Sequence, residues 1–480
     1  MSQGYGPALM LARSWVPGTR ARPLTILPLT AGILLLAWYV GRNPSIIYVV
    51  APLAVAVSLA LLRRPWLGLP ALIVLALAVH VSIGTGTEVQ LNLAALAVPA
   101  LFGLWLLGAA LRGHIAMPPS PVNPPLFLFL LAGLLSLGIG IGTWDPLIPR
   151  RPSFIVVQLA QWAIFAFSAI AFWLTAILVR DARWLQRMVV TFVLIGGLLA
   201  LLRVFPPLQP VFSQVTTGAV DRAPFWLLLS ALSGGQLLFN RRLRLWQSGF
   251  LTATLVLSLY YAFFLEREGA STWGGVAVAL IVLVWLRFRR LRTPMVATIL
   301  ALGVLGLLFP VLWDFAGGDE EWVISGGSRY TLIERVVTVT MRNPITGLGP
   351  AAYRLYANAE PLLYGRAFWV APEVNSHNNY VDLFAHGGLV GLALFGWFAV
   401  EYALLGVRLL RRYRDGFAGA YVASMLAAGA ASLVIMLLAD WMLPFVYNIG
   451  FNGFQASVLV WLFLGGLVAL DNAAPAAECR

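Results

Sequence analysis

The sequence predicts an all-α integral membrane protein of about 12–14 transmembrane helices with one long loop outside the membrane, on three observations. Of 480 residues, 60% are hydrophobic and only 11% charged, with a mean hydropathy of +0.85, far from the composition of a soluble domain. Apolar runs of about 18 to 25 residues, each long enough for a hydrocarbon core of roughly 30 Å, recur along nearly the whole chain. The runs are continuous rather than alternating, and a backbone in lipid must satisfy its own polar groups, so helices are expected rather than barrel strands.

Taken in order, residues 1–23 are polar, carry Arg13, Arg20 and Arg22, and lack a short apolar core with a small-residue cleavage site. They read as a cytoplasmic tail rather than a signal peptide. About eleven spans are expected within 24–314, at roughly 24–41, 45–62, 67–84, 91–111, 125–142, 153–179, 185–205, 224–240, 247–265, 272–287 and 294–313. Residues 315–381 have no spanning run and carry charge, glycine and proline; so long a segment is expected to be functional rather than a connector. About three more spans (384–410, 417–440 and 453–470) fill 382–470, and 471–480 form a second cytoplasmic tail.

The arginines test this layout. All 32 basic residues are arginine. With the N-terminus inside, the runs LRRP (62–65), RDARWLQR (180–187), NRRLRLW (240–246), RFRRLRT (287–293) and RRYRD (411–415) all fall on the cytoplasmic side, as short inside loops should. Tails and inside loops hold 21 arginines; the other 11 lie outside and need a purpose. A basic balance arising this way gives no argument for nucleic acid. The single cysteine, Cys479, excludes a disulfide framework or a thiolate metal site.

Within the long loop, SRYTLIERVVTVTMRNP (328–344) spaces its apolar residues for one helix face, with Thr331 and Glu334 as a capping box and Asn343-Pro344 as a stop. The following ITGLGPAAY (345–353) carries Gly347 and Gly349, which permit tight turns. Phosphate-binding, dinucleotide-binding, HExxH and GxSxG motifs are missing from the sequence, and its four histidines do not fall at metal-ligand spacing, so a mechanism without metal or cofactor is expected.

The remaining constellation is NSHNN (375–379), at the outer entrance of a span. A neutral histidine can accept a hydroxyl proton, and arginine offers a planar charged fork suited to phosphate oxygens. Together His377 and the outside arginines suit transfer to a hydroxyl from a donor that leaves as a phosphate or diphosphate. The plainer reading is a helix cap, because Asn375 or Ser376 is a good N-cap residue. Trp369, Tyr380 and Trp441 read as interfacial aromatics, and His386 as a packed helix-end residue.

Across Arg329, Pro344, Gly347, Gly349, His377, Asn378, Gly388 and Gly391, the order of residues on one outside loop resembles the O-antigen ligase and O-antigen polymerase superfamily. The resemblance implies a GT-C-type glycosyltransferase of the bacterial inner membrane, acting at its periplasmic face on a glycan carried by undecaprenyl diphosphate. It implies His377 as the base that activates an acceptor hydroxyl and Arg329 as a diphosphate ligand. For the second arginine that the family carries in an SRG-type motif at the outer end of a span, the nearest candidate is Arg267 in LEREGASTWGG (265–275): Glu266 replaces the serine, glycine follows only after Glu268, and counted from Trp273 the arginine lies about one helical turn early. Asn375, Asn378, Arg150, Arg151, Arg203 and Arg222 are the expected substrate-binding residues. The expected acceptor is a lipid A core sugar; the alternatives are a second lipid-linked glycan, as for a polymerase, or a protein hydroxyl. A transporter is the reading from another class, favoured only by Glu401 within a span, which pairing with Arg408 would explain.

Overall fold

The computed structural model describes residues 47–84, 86, 90–306, 327–359, 362–364, 368–370 and 376–473. The chain forms two compact units, 1–60 and 61–480. Of the first, the described part belongs to the helix Ile47–Arg63. The expected span at 24–41 lies outside the described residues.

The second unit is a helical bundle with two small hairpins, Ser82–Gly84 with Gln90–Asn92 and Leu362–Tyr364 with Phe368–Val370. Among the described residues nine helices are long and apolar enough to cross a membrane: Leu93–Leu111, Asn123–Gly142, Phe154–Leu178, Ala182–Val204, Leu245–Leu265, Ala270–Arg287, Asn379–Arg412, Gly416–Leu438 and Gly450–Asn472. Each coincides with an expected span. Ala223–Phe239 is apolar but 17 residues long. The expected span at 294–313 is described to Gly306, as the helix Arg292–Val304.

At 67–84 the helix is shorter than expected. It runs only over Gly68–Ala78 and then turns into the first hairpin. Its end lies inside the protein, where Thr217 supplies partners for the last carbonyls: its N–H donates to Leu77 O (3.0 Å) and its hydroxyl to Ala76 O (2.6 Å). Hydropathy alone does not distinguish such a half-length apolar helix from a full span.

Ala223–Phe239 and Gly450–Asn472 form the centre of the bundle. In the first, every residue but Leu237 and Leu238 is buried, and the apolar window of the second is wholly buried. The first packs against Gly416–Leu438, Ala270–Arg287 and Leu245–Tyr260, and Gly450–Leu464 packs against Phe154–Leu178.

One break positions the long loop. Asn379–Arg412 is kinked at Gly388 (φ 62°, ψ −160°), a left-handed backbone that favours glycine. The kink removes the helical partners of Leu389 and Val390 N–H and of Ala385 and His386 C=O. Each of the four finds a replacement outside the helix. Leu389 N donates to Pro344 O (2.9 Å) and Val390 N to Ile345 O (3.1 Å), while Ala385 O accepts from Leu348 N (2.8 Å) and His386 O from the Ser136 hydroxyl (2.6 Å). A broken span is tolerable in lipid only when its freed backbone groups are satisfied in this way. The approach is close enough that a Cβ on Gly347 would meet Gly388 N at 2.6 Å.

Three local expectations change. The loop helix spans Gly327–Thr340, so Thr331 and Glu334 lie inside it and form no capping box. The cap of the kinked helix is Asn378 rather than Asn375 or Ser376: its side chain accepts from Tyr380 N (3.0 Å) and Val381 N (3.3 Å). Glu401 accepts from Trp397 Nε1 (3.1 Å), and no ion pair with Arg408 forms.

Candidate active site

His377 sits in the last turn before the kinked helix, with φ 50°, a conformation that costs a non-glycine residue of order 1–3 kcal/mol unless its surroundings impose it. The residues around it do so. The Ser376 hydroxyl donates to Asp382 Oδ1 (2.8 Å), Asn378 caps the helix, and the buried Asn379 grips a second turn. Asn379 accepts from Met442 N (3.1 Å) and Leu443 N (3.2 Å) and donates to Leu443 O (2.8 Å).

That second turn, 439–449, follows Gly416–Leu438 and brings an acid to the histidine. Asp440 Oδ1 lies 3.8 Å from His377 Nδ1, and Asn448 Nδ2 lies 3.5 Å from the same nitrogen. Asn448 Nδ2 is also 3.1 Å from both Asp440 oxygens, and Phe445 N donates to Oδ2 (3.3 Å). The Asp440 side chain is 3% exposed and that of His377 31%. A buried carboxylate thus faces Nδ1 of a partly exposed imidazole, leaving the opposite ring nitrogen, Nε2, for a ligand. Gln161 and Trp461 hold the turn from behind: Gln161 donates to Pro444 O (3.0 Å) and accepts from Val446 N (2.7 Å), and Trp461 Nε1 donates to Met442 O (3.0 Å).

Arg329, Arg222 and Arg354 reach the same turn or the helix end that leads into it. Arg329 donates to Leu438 O (3.2 Å) and Asn378 Nδ2 to Leu437 O (3.0 Å), so both engage carbonyls at the end of Gly416–Leu438. The Arg222 guanidinium lies 4.9 Å from the Trp441 ring centre, and Trp441 Nε1 donates to Ser271 (3.0 Å). Arg267 belongs to the turn leading to Ser271; it is exposed and makes no hydrogen bond or ion pair among the described residues. Arg354 stacks on Tyr447 (4.1 Å), the neighbour of Asn448.

Other expected ligands have neighbours of their own. Arg203 pairs with Asp221 (3.0 Å) and lies over Tyr261 (5.2 Å). Arg150 lies over Trp144 (5.6 Å), in an aromatic cluster with Phe154 and Tyr356, and Arg151 is exposed beside it. Asn375 falls outside the described residues. His386 is a packed helix residue, accepting from Ala351 N (3.2 Å) and stacked on Phe445 (5.4 Å).

Asp440, Asn448 and Arg354 were not legible as site residues. Asp440 reads in sequence as the polar end of a span, 63 positions from His377, and folding alone makes the contact. Tyr353 is a further buried polar group of the loop. Burial pushes its hydroxyl up to about 12, with Arg335 opposing and Asp382 reinforcing the shift, so it stays protonated and is no base at neutral pH. Among the described residues no group of three His, Cys, Asp or Glu side chains converges.

Residues 253–396 match the family described as O-antigen ligase. The matched segment contains Arg267, Arg329, the glycine turn and His377, and covers just under a third of the chain; Asp440, Asn448 and Arg222 lie beyond it. No curated protein matches the chain. The resemblance to the O-antigen ligase superfamily thus stands on this segment, and it supports an O-antigen ligase- or polymerase-like membrane enzyme.

Proposed function

We propose that the protein is a membrane glycosyltransferase that moves a glycan from undecaprenyl diphosphate to an acceptor hydroxyl at the outer face of the bacterial inner membrane. The observation that carries this reading is the His377–Asp440–Asn448 arrangement beside Arg329. In the proposed step the acceptor O–H gives its proton to His377 Nε2 as its oxygen attacks the anomeric carbon. The bond from that carbon to the diphosphate oxygen breaks, and the electron pair leaves with the undecaprenyl diphosphate. The anomeric centre inverts.

Asp440 has a positioning role. Its carboxylate favours a proton on Nδ1 and stabilises the imidazolium that forms; the Asn448 amide, which donates to both Asp440 oxygens at 3.1 Å, must then give up its longer 3.5 Å approach to Nδ1. At 3.8 Å the contact is longer than a hydrogen bond, as such contacts often are before substrate tightens the site. Arg329, Arg222 and Arg267 offer permanent charge for the developing diphosphate. Arg267, with no acidic partner among the described residues, has its charge uncommitted. Side chains alone supply every step of this reading, so no cofactor or metal is invoked.

A ligase acting on lipid A core sugar and a polymerase acting on a second lipid-linked glycan would share this site and differ in acceptor. A deletion strain separates them: loss of a ligase leaves long glycan on the lipid carrier, whereas loss of a polymerase leaves single repeat units. The chemistry itself is tested by transfer from purified undecaprenyl-diphosphate glycan in EDTA, with wild type active and His377→Ala inactive. Full activity of that variant would remove the histidine from the mechanism.

A further inference from the structure

The end of the bundle opposite His377 carries a second site. Ala223–Phe239 and Gly416–Leu438 each reach the candidate active site at one end, near Arg222 and Leu438, and at the other end border an open-sided recess of about 140 Å³. Helices of 17 and 23 residues place the two sites about 25 to 35 Å apart. The recess changes character along its length: Val190 and Phe250 form an apolar wall, and Gln186, Gln236 and Asn240 gather amide groups where the helices end.

One of these amides lacks a partner. Gln236 is 4% exposed; its oxygen accepts from Asn240 Nδ2 (2.9 Å), and its Nε2 has no hydrogen-bond partner among the described residues. A buried donor without an acceptor carries an uncompensated desolvation cost, which a ligand oxygen reaching it would offset.

The rim is basic. Arg183, on the same helix face as Gln186 and Val190, is joined by Arg187, Arg241, Arg242 and Arg244. Against these five stand two aspartates, Asp181 at 3.9 Å from Arg183 and Asp415 at 3.6 Å from Arg241. Arg242 and Arg244 are exposed and make no ion pair among the described residues. Trp246, 64% exposed at the mouth, suits a membrane interface.

We infer that this recess binds an anionic phospholipid, with one acyl chain along the Val190–Phe250 wall and the headgroup phosphate between Gln236 and the Arg242–Arg244 rim. An apolar wall leading to an unsatisfied donor and excess positive charge is complementary to an acidic amphiphile. An inorganic anion would leave the wall unused. This assignment is independent of the proposed transfer reaction, since none of these residues belongs to the His377 site.

The test is titration of the delipidated full-length protein in detergent with phosphatidylglycerol and, separately, phosphatidylcholine, read by native mass spectrometry. Phosphatidylglycerol should bind more tightly by about tenfold or more, and Arg242→Gln and Arg244→Gln should each weaken it by about fivefold while leaving phosphatidylcholine unchanged. Gln236→Met should weaken both lipids. Equal affinity for the two lipids, or phosphatidylglycerol binding that neither arginine variant alters, would overturn the assignment. Displacement by millimolar inorganic phosphate would also overturn it, in favour of a simple anion site. The arginines are exposed, so their variants read binding without disturbing the fold.

Discussion

At the scale of single residues, the polar cluster at 376–379 divides its labour. Ser376, Asn378 and Asn379 spend their side chains on backbone and on Asp382, and that leaves His377 turned toward Asp440. The helix-cap and catalytic readings of NSHNN are therefore compatible, because different residues of the stretch carry them. Removing the base in His377→Ala should lower kcat by about 10²- to 10⁴-fold. Asp440→Asn should lower kcat while leaving KM nearly unchanged, the pattern of a group that acts in the transition state; a rise in KM alone would contradict a positioning role. Asn379→Ala should cost about 1–3 kcal/mol by stranding two buried N–H groups, seen as a lower Tm in detergent. Tyr353 behaves differently. Its pKa is raised from 10.0 to about 12, so folding favours the neutral phenol, and the associated stability is complete below about pH 10 and is lost as pH rises toward 12. Tyr353→Phe should hold its Tm between pH 9 and 11 better than wild type does. His377, Asn378 and Arg329 were legible because polar residues stand out in a greasy chain. Asp440 was not, since one acid ending an apolar run looks the same whether it meets water or a histidine.

At the scale of elements, the kink at Gly388 and the Pro344–Gly349 turn form one device that fixes the long loop to the bundle. The broken helix needs the turn's donors and acceptors, and the turn needs the space that a missing Cβ leaves. Gly347→Ala should therefore reduce activity and destabilise by about 2 kcal/mol or more, since the new Cβ would press on backbone at positive φ. Gly387→Ala, one residue before the kink and with nothing within 4 Å of the new Cβ, should be nearly silent. Equal effects of the two substitutions, measured as Tm and transfer rate, would contradict this account. The glycines of the loop were visible as turn formers, but their partnership was not. Two adjacent glycines at a span entrance read as helix, and only tertiary hydrogen bonds make the break affordable. The shift of the N-cap to Asn378 has a similar origin, because the start of the helix is set by the turn that Asn379 grips.

At the scale of the whole molecule, most helix positions followed from hydropathy: among the described residues each of the nine helices long and apolar enough to span coincides with an expected span, while 67–84 holds only a short helix. Which helices lie at the centre did not follow. Ala223–Phe239 and Gly450–Asn472 are no greasier than helices facing lipid, and lipid and protein interior reward the same side chains. The arginine pattern adds orientation: with Cys479→Ser as background, Arg267→Cys should react with an impermeant thiol reagent from outside intact cells and Arg242→Cys only after permeabilisation. The opposite result would invert the assignment of the two ends. In the proposed reading the loop and the 439–449 turn together build one transferase site around His377. In vitro transfer from purified undecaprenyl-diphosphate glycan in EDTA, comparing wild type, His377→Ala, Asp440→Asn and Arg329→Ala, tests this. Transfer by wild type that survives chelation and falls sharply in all three variants is the predicted result. Transfer that persists in His377→Ala, or that vanishes from wild type on chelation, would contradict it.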